Sequence, residues 1–519
     1  MKNMLPIGLT LAILCTSSGD AAELTRKKLQ VFILAGQSNM VGHANYTTIP
    51  ALLELEDARP KALAKLLFKE GAIAPGMTKE LLETRFKRDA LANDIRQKKI
   101  VGEEQIAAAQ AELEKLKAAH KAQTEKIRMA FKVSKRVYIS SIADGHRRSG
   151  PLTFGYGGSS EKIGPELGFG LALEQALDAP ILFIKTSWGG KSLHYDFRPP
   201  SAGPYELDGN QKKVETDEYK QAWTKAQEEY ANVWIPETKK AIAAFWAEHD
   251  KFMAKHLDAK RYAEWREEVA RWNEAIKLPH NGGPDDLKPW KVWALERAAQ
   301  KYFAGTEIKS PTMNYNKTLW KERPALAGAA TAQTIRDNAG HFYRMMNEAV
   351  RAVLKDPKKV HPEYDADVGY EIAGFVWFQG FNDQFSEAYY TNYKTNMVAF
   401  VKDVRKEYKV PNMPFVIGVL GTGGTKEKVD KNPVSVAQRE AAAAPEFKGN
   451  VASVESYPLF ELKAAGMWGD RTWNRPGHRV EFSMVASDRP YHYMGSGRFF
   501  VRFGHALADA MVDLLKNQK

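Results

Sequence analysis

Short, largely apolar runs alternate along this chain with longer stretches whose apolar residues recur at helical spacing. The runs are Val31–Ala35, Ile181–Lys185, Ile372–Phe378, Pro414–Val419 and Val451–Glu455. Near-continuous apolar runs of this length predict strands buried on both faces, as in a parallel sheet. Arg136–Ser141 predicts a further strand, at the sheet edge. Gly168–Leu177, Thr391–Tyr408 and Gly497–Leu515 predict intervening helices. Strand–helix alternation predicts a doubly wound α/β fold.

Two stretches break the rhythm. Residues 57–133 are rich in Ala, Lys, Glu, Leu and Gln, with Ile106, Ala109, Leu113, Leu116 and Ile127 at roughly heptad spacing. They predict a helical hairpin inserted into the α/β core, with Lys79–Lys99 as the partner helix and a structural role. Residues 204–324 are helical in pattern, polar and rich in tryptophan: Trp223, Trp234, Trp246, Trp265, Trp272, Trp290, Trp293 and Trp320. Helical tryptophans read first as core, and alternatively as surfaces on which sugar rings stack. The core itself is then expected in residues 22–56, 134–203 and 325–519.

Composition narrows the setting. The chain has 519 residues, 44% hydrophobic and 27% charged, a balance usual for a globular protein. Lys2 followed by the apolar stretch Leu5–Leu14 and the small residues Ser17, Ser18, Gly19, Ala21 and Ala22 predicts a signal peptide, cleaved near Ala21. The stretch is too short to span a bilayer, so a secreted or periplasmic protein with no stable membrane insertion is expected. Cys15 is the sole cysteine and falls in that segment; the mature chain would have no disulfide, thiol nucleophile or cysteine zinc site. The net charge of +12 is distributed among acidic residues along helical faces. No nucleic-acid-binding motif accompanies it, and no nucleic-acid partner is expected.

The candidate chemistry lies at strand ends. Gly36-Gln37-Ser38-Asn39-Met40 follows the first apolar run. It reads either as a plain strand-to-helix turn with a capping residue, or as a turn that presents Ser38 as a nucleophile at the carboxyl edge of the sheet, where ligands bind in such folds. A serine hydroxyl needs a general base, a group to orient that base and donors for the oxyanion. Asp488 and His492 stand in a loop before the last helix, where Pro490 interrupts regular helix. Lys185-Thr186-Ser187-Trp188-Gly189-Gly190-Lys191 and Trp377-Phe378-Gln379-Gly380-Phe381-Asn382-Asp383 follow two further predicted strands. Consecutive glycines offer backbone N–H groups, and Gln379 or Asn382 offers a side-chain amide. His194 and Arg198 follow the Gly-Gly block and are candidate pocket residues. Arg198 is suited to a sugar carboxylate.

These blocks resemble the SGNH (GDSL-like) hydrolase superfamily, in the branch of sialate O-acetylesterases and carbohydrate esterase family six acetylxylan esterases. Gly36–Met40, Gly164–Phe169, Lys185–Gly190 and Trp377–Gly380 carry the resemblance, and Gly380–Asp383 also fits the wider Gly-x-Asn-Asp block. It implies a flavodoxin-like three-layer α/β/α core and a serine esterase acting on O-acetylated carbohydrate without metal or organic cofactor. Ser38 would be the nucleophile, His492 the base and Asp488 its orienting acid. The oxyanion would meet Ser38, Gly189 or Gly190, and Gln379 or Asn382. Gln37, Asn39, Lys191, His194 and Arg198 would face substrate. Asp488 and His492 have three residues between them, one more than the family pattern. A carboxylesterase or lipase on the same scaffold, and a non-catalytic glycan-binding protein, are the alternatives.

Overall fold

The computed structural model describes residues 27–74, 76–209, 211–276, 296–313, 321–326 and 329–518. The expected signal peptide, Trp290, Trp293 and Trp320 lie outside them, as does the Trp272 side chain. Two compact units emerge: Pro204–Ala339, and a larger unit formed by the chain before and after it.

The larger unit is built on a seven-stranded sheet. Its strands are β1 (Leu29–Gly36), β3 (Val137–Ala143), β4 (His146–Pro151), β6 (Ile181–Ser187), β7 (Tyr370–Phe378), β8 (Phe415–Val419) and β9 (Val451–Glu455). The order is β4-β3-β6-β1-β7-β8-β9, parallel except for β4, which pairs antiparallel with β3. The short strands β2 (Ala44–Asn45) and β5 (Lys162–Ile163) pair separately. The β3–β4 hairpin extends one edge, so the strand expected at the edge is an inner one. The remaining strands run in flavodoxin-like order, and the direction of winding reverses between β1 and β7. Ligands bind in the crevice at such a reversal.

Both sheet faces are buried, which explains why the strands read as continuous apolar runs. On β1, Phe32 and Leu34 enter one core with Phe169, Phe183, Phe499 and Phe503. Val31, Ile33 and Ala35 enter the other with Phe375, Trp377, Phe400 and Phe415. Helices Glu166–Ala176 and Gly497–Lys516 cover the first face; His341–Leu354, Tyr393–Tyr408 and Pro433–Ala442 cover the second. This is an α/β three-layer hydrolase core. The two helices of the first face touch through glycines. A Cβ on Gly168 would lie 2.0 Å from the Val501 carbonyl oxygen, and one on Gly504 would lie 2.1 Å from that of Pro165.

Beneath the carboxyl edge lies a fully buried ion pair. Lys185 Nζ, on β6, stands 2.7 Å from Glu166 Oε2 and donates to the carbonyls of Val41 (3.0 Å) and Tyr156 (2.9 Å). Glu166 Oε1 accepts the Gly164 N–H at 2.9 Å. Burial lowers the Lys185 pKa and the Glu166 charge opposes that shift.

The residue 57–133 insertion contains the paired helices Met77–Arg96 and Glu103–Ala130. Of the residues expected to zip it together, Ile127 is buried, whereas Ile106 is 37% exposed. Packing concentrates at the base, where Phe68 and Phe131 meet at 4.9 Å.

The smaller unit contains helices Asp217–Glu229, Ile235–His256 and Ala259–Ile276. Trp234 stacks on Tyr230 and Trp265 joins Met253 and Phe303 in a local core. Trp223 and Trp246 are half-buried, and Trp223 Nε1 donates to the Ala329 carbonyl. Trp234 and Trp265 therefore serve packing. Among the described residues no helix is long and apolar enough to cross a membrane.

Removing Lys185 while leaving Glu166 buried is costly, because a lone buried charge has nothing to offset its desolvation. Lys185→Ala is expected to lower unfolding free energy by about 3–5 kcal/mol in denaturant titrations. A loss under ~1 kcal/mol would show that the pair is not a structural anchor.

Candidate active site

Gly36 fixes the geometry of the first loop. Its φ is +155°, and a Cβ there would lie 2.1 Å from the Phe378 carbonyl oxygen. Only glycine lets β1 end this close to β7. The chain then turns into the short helix Ser38–Val41, whose side chains are all buried, with Ser38 8% exposed. Next to this turn packs the segment Pro490–Gly495, which carries His492.

His492 Nδ1 lies 3.5 Å from Asp488 Oδ1. That is longer than a good hydrogen bond, and Nδ1 has no other partner among the described residues. Such contacts commonly tighten only around substrate. The extra residue between Asp488 and His492 thus does not keep them apart. Asp488 Oδ2 faces two more groups, His43 Nδ1 at 3.6 Å and Lys162 Nζ at 3.7 Å. The His43 ring stacks on that of His492, centroids 4.0 Å apart and planes 9° apart.

Burial works to raise the Asp488 pKa. Hydrogen bonding with His492 and the Arg489 N–H, with the charges of His492 and His43, instead holds it down at about 2. His43 is pulled down to about 4, first by burial and then by the neighbouring His492 and Lys162 charges, against the pull of Asp488. It is therefore neutral near pH 7.

His43, Asp488 and His492 also bring one potential metal-ligand atom each within 4.8 Å of one another. Imidazole binds a metal through an in-plane lone pair. With the two rings face to face, one ion cannot lie in both planes, so this arrangement fits a shared carboxylate better than a metal centre.

The loop after β7 meets Ser38 through amides. Gln37 Oε1 accepts from Gln379 Nε2 (3.1 Å) and from the N–H groups of Gly380 (3.4 Å) and Asn382 (3.3 Å). Gln379 Nε2 also faces the Lys191 carbonyl (2.9 Å) and Asp383 Oδ2 (2.5 Å), while its Oε1 accepts from Tyr393 Oη (2.8 Å). Asp383 is buried and binds the N–H groups of Leu193 and His194. Burial pushes its carboxyl up to about 7 against these hydrogen bonds. Gln37 Nε2 and Asn39 Oδ1, on either side of Ser38, are buried without a partner among the described residues.

This geometry separates the expected oxyanion donors. Gln379 has two amide hydrogens and three acceptors, so none is left for substrate. Gly189 donates its N–H to Asp144 Oδ1 at 2.6 Å. No described acceptor takes the N–H of Gly190 or Ser38. Asn382 Nδ2 gives one hydrogen to the Gly190 carbonyl at 2.8 Å and keeps a second.

The other expected substrate contacts are mostly engaged. Arg198 donates through Nε, Nη1 and Nη2 to the carbonyls of Gly203, His194 and Ala202. It braces its own loop with three of its five N–H groups. His194 is buried and accepts from Asn396 Nδ2 at 3.1 Å. Lys191 Nζ lies 3.4 Å from Asp196 and 4.3 Å over the Phe342 ring. Sequence reasoning missed His43, Lys162, Asp144 and Asp383. Proximity to Ser38 and the Gly-x-Asn-Asp block were the available signals for His43 and Asp383.

Fold and site together have the layout of an α/β hydrolase with serine, histidine and aspartate at the carboxyl edge. Residues 324–462, which carry β7 to β9 and the Trp377–Asp383 block, match a family described as carbohydrate esterase, sialic acid-specific acetylesterase. The match supports carbohydrate esterase activity. Among solved structures, the chain is similar to an Arabidopsis thaliana protein at 11% identity and TM-score 0.34, over 93% of this chain and 98% of that one. It is also similar to a carbohydrate acetylesterase from Xanthomonas citri at 10% identity and TM-score 0.30, over 83% of this chain and 51% of that one. No curated protein sequence matches the chain.

Because the His43 pKa in the fold lies below its ordinary 6.5, the unfolded chain takes up a proton first as pH falls. The stability this contributes is complete above about 6.5 and is lost toward about 4. His43→Phe keeps the stack and removes the titration. The loss of unfolding free energy on acidifying from pH 6.5 to 4 should shrink by roughly 3 kcal/mol. An unchanged loss would place the acid sensitivity elsewhere.

Proposed function

We propose that this protein is an exported serine esterase that removes O-acetyl groups from carbohydrate. The observation that carries the proposal is the packing of the Ser38 turn beside the Asp488–His492 loop at the sheet's carboxyl edge. The family match over residues 324–462 supports the substrate class. The charged and apolar pattern before Ala22 supports export.

In this reading His492 accepts the Ser38 hydroxyl proton as Oγ attacks the acetyl carbonyl. The Asp488 carboxylate stays ionised throughout and favours the imidazolium that forms. The Ser38 and Gly190 N–H groups and the second Asn382 amide hydrogen receive the oxyanion. His492 returns the proton to the departing sugar hydroxyl. It then activates a water that attacks the acetyl-serine, and acetate leaves with Ser38 restored.

Ser38→Ala should abolish both acetate release from an acetylated oligosaccharide and labelling by a fluorophosphonate probe. Retained turnover would overturn the assignment. Asp488→Asn should lower kcat by up to about 10⁴-fold. Asn382→Ala should cut kcat by about 10²–10³-fold with little change in Tm. Gln379→Ala should instead lower Tm, because its amide holds two loops together. The reverse pattern would move the oxyanion role to Gln379.

A further inference from the structure

A second cleft, of about 420 Å³, opens on the side of Asp488 that faces the inserted hairpin. Four of its lining residues are cationic, Arg85, Lys162, Arg479 and Arg489, and one is acidic, Asp488. Their charges come from three separate parts of the chain: the hairpin, strand β5, and the segment leading into the His492 loop. Arg479 stacks its guanidinium 4.0 Å over the Phe86 ring and has no carboxylate partner among the described residues. Arg489 likewise has none. Arg85 has only an exposed contact with Asp89 at 3.7 Å, a type of pair worth little. Trp468 and Trp473, stacked at 5.5 Å, complete the lining.

Two arginines with no carboxylate partner among the described residues, and Arg85 with one exposed pair, stand beside aromatic faces, an environment for an anion carried on a ring-shaped molecule. Arginine forks bind carboxylate and sulfate oxygens through paired N–H groups, and sugar rings lie against aromatic faces. We propose that this cleft is a subsite for an anionic group, carboxylate or sulfate, on a sugar neighbouring the one that is deacetylated. This inference rests on the esterase reading above for its link to catalysis. The hairpin then acts as a selectivity arm, supplying Arg85 and Phe86 to a cleft whose floor is the carboxylate that orients the base.

The test separates binding from turnover. Calorimetry on the intact chain would use three probes lacking acetyl groups: a galacturonate oligosaccharide, a chondroitin sulfate oligosaccharide and xylohexaose. The acidic probes should bind and weaken as salt is raised, and the neutral one should bind poorly. The two acidic probes distinguish carboxylate from sulfate. Arg85→Gln/Arg479→Gln should weaken acidic binding by about tenfold or more, the size expected for losing charge-assisted hydrogen bonds. The exposed single variant Arg85→Gln should give part of that loss with an unchanged Tm. On acetylated substrates the double variant should raise KM for the acidic glycan and leave hydrolysis of 4-nitrophenyl acetate unchanged. Equal binding of acidic and neutral probes, or acidic binding unchanged in the double variant, would overturn the subsite. Absence of Ser38-dependent hydrolysis would instead overturn the esterase reading and leave the binding result standing on its own.

Discussion

The Lys185–Glu166 pair is the constraint on which the carboxyl edge depends. Both side chains are fully buried, so each ion loses its hydration and only geometry returns the energy. The geometry is complete in a specific sense. Lys185 uses its donors on Glu166 and on the carbonyls of Val41 and Tyr156. Val41 ends the Ser38 helix, so the ammonium on β6 fixes the exit of the Ser38 turn. The Gly164 N–H on Glu166 ties in the segment just after β5. A hydrophobic pair of similar volume would fill the space but would leave the Val41 and Tyr156 carbonyls without this donor. The charge therefore specifies where the Ser38 turn sits, which packing alone would leave looser.

A second layer of polar contacts divides rigidity from chemistry. Gln37, Gln379 and Asp383 consume one another's hydrogen-bonding capacity and clamp the loops after β1, β6 and β7. Gln379 spends both its amide hydrogens in this clamp, so it holds position without competing for substrate. Spare donors remain beside it on the Ser38 and Gly190 N–H groups, Asn382 Nδ2 and Gln37 Nε2. Reactivity at this edge thus follows from hydrogen-bond accounting. The same logic applies to the histidines. His43 shares the Asp488 carboxylate with His492 but is driven neutral by burial, so it can buttress the ring without adding a second positive charge at neutral pH.

The strands were legible because both sheet faces are buried, which writes each strand as an apolar run. β4 was not, because His146–Pro151 is polar and half-exposed at the edge. Its signal was the Asp144-Gly145 pair, a strong hairpin turn sequence, and Asp144 indeed takes a positive φ of 55°. Charged residues such as Arg147 and Arg148 suit an edge that must not pair with another chain. At the site, Ser38, Asp488 and His492 stood out because motif and spacing expose them. What sequence could not separate was Gln379 from Asn382, or Gly189 from Gly190. Those choices depend on which donor already has an acceptor, a property of three-dimensional contacts. The bonds of Arg198 to its own loop carbonyls are likewise invisible in one dimension.

The additional residue between Asp488 and His492 shows how such a departure is absorbed. Tyr493 and Met494 both take left-handed backbone angles, φ 51° and 59°. For residues with a side chain this conformation costs roughly 1–2 kcal/mol each. The cost is offset locally. The Tyr493 ring is fully buried and stacks on Phe499 at 4.1 Å. Its hydroxyl accepts the Gly421 N–H at 2.9 Å and lies 2.8 Å from Ser456 Oγ. The ends of β8 and β9 therefore hold the strained turn from below. The Met494 carbonyl accepts the N–H groups of Ser487 and Asp488. A longer loop would ordinarily let Asp488 and His492 drift apart. Here the left-handed pair folds the surplus inward, and the Asp488 backbone is bonded to the far side of the very turn that carries His492. Strain at a site persists only where its surroundings over-determine it, and two strand ends, an aromatic stack and paired backbone bonds do so at this loop.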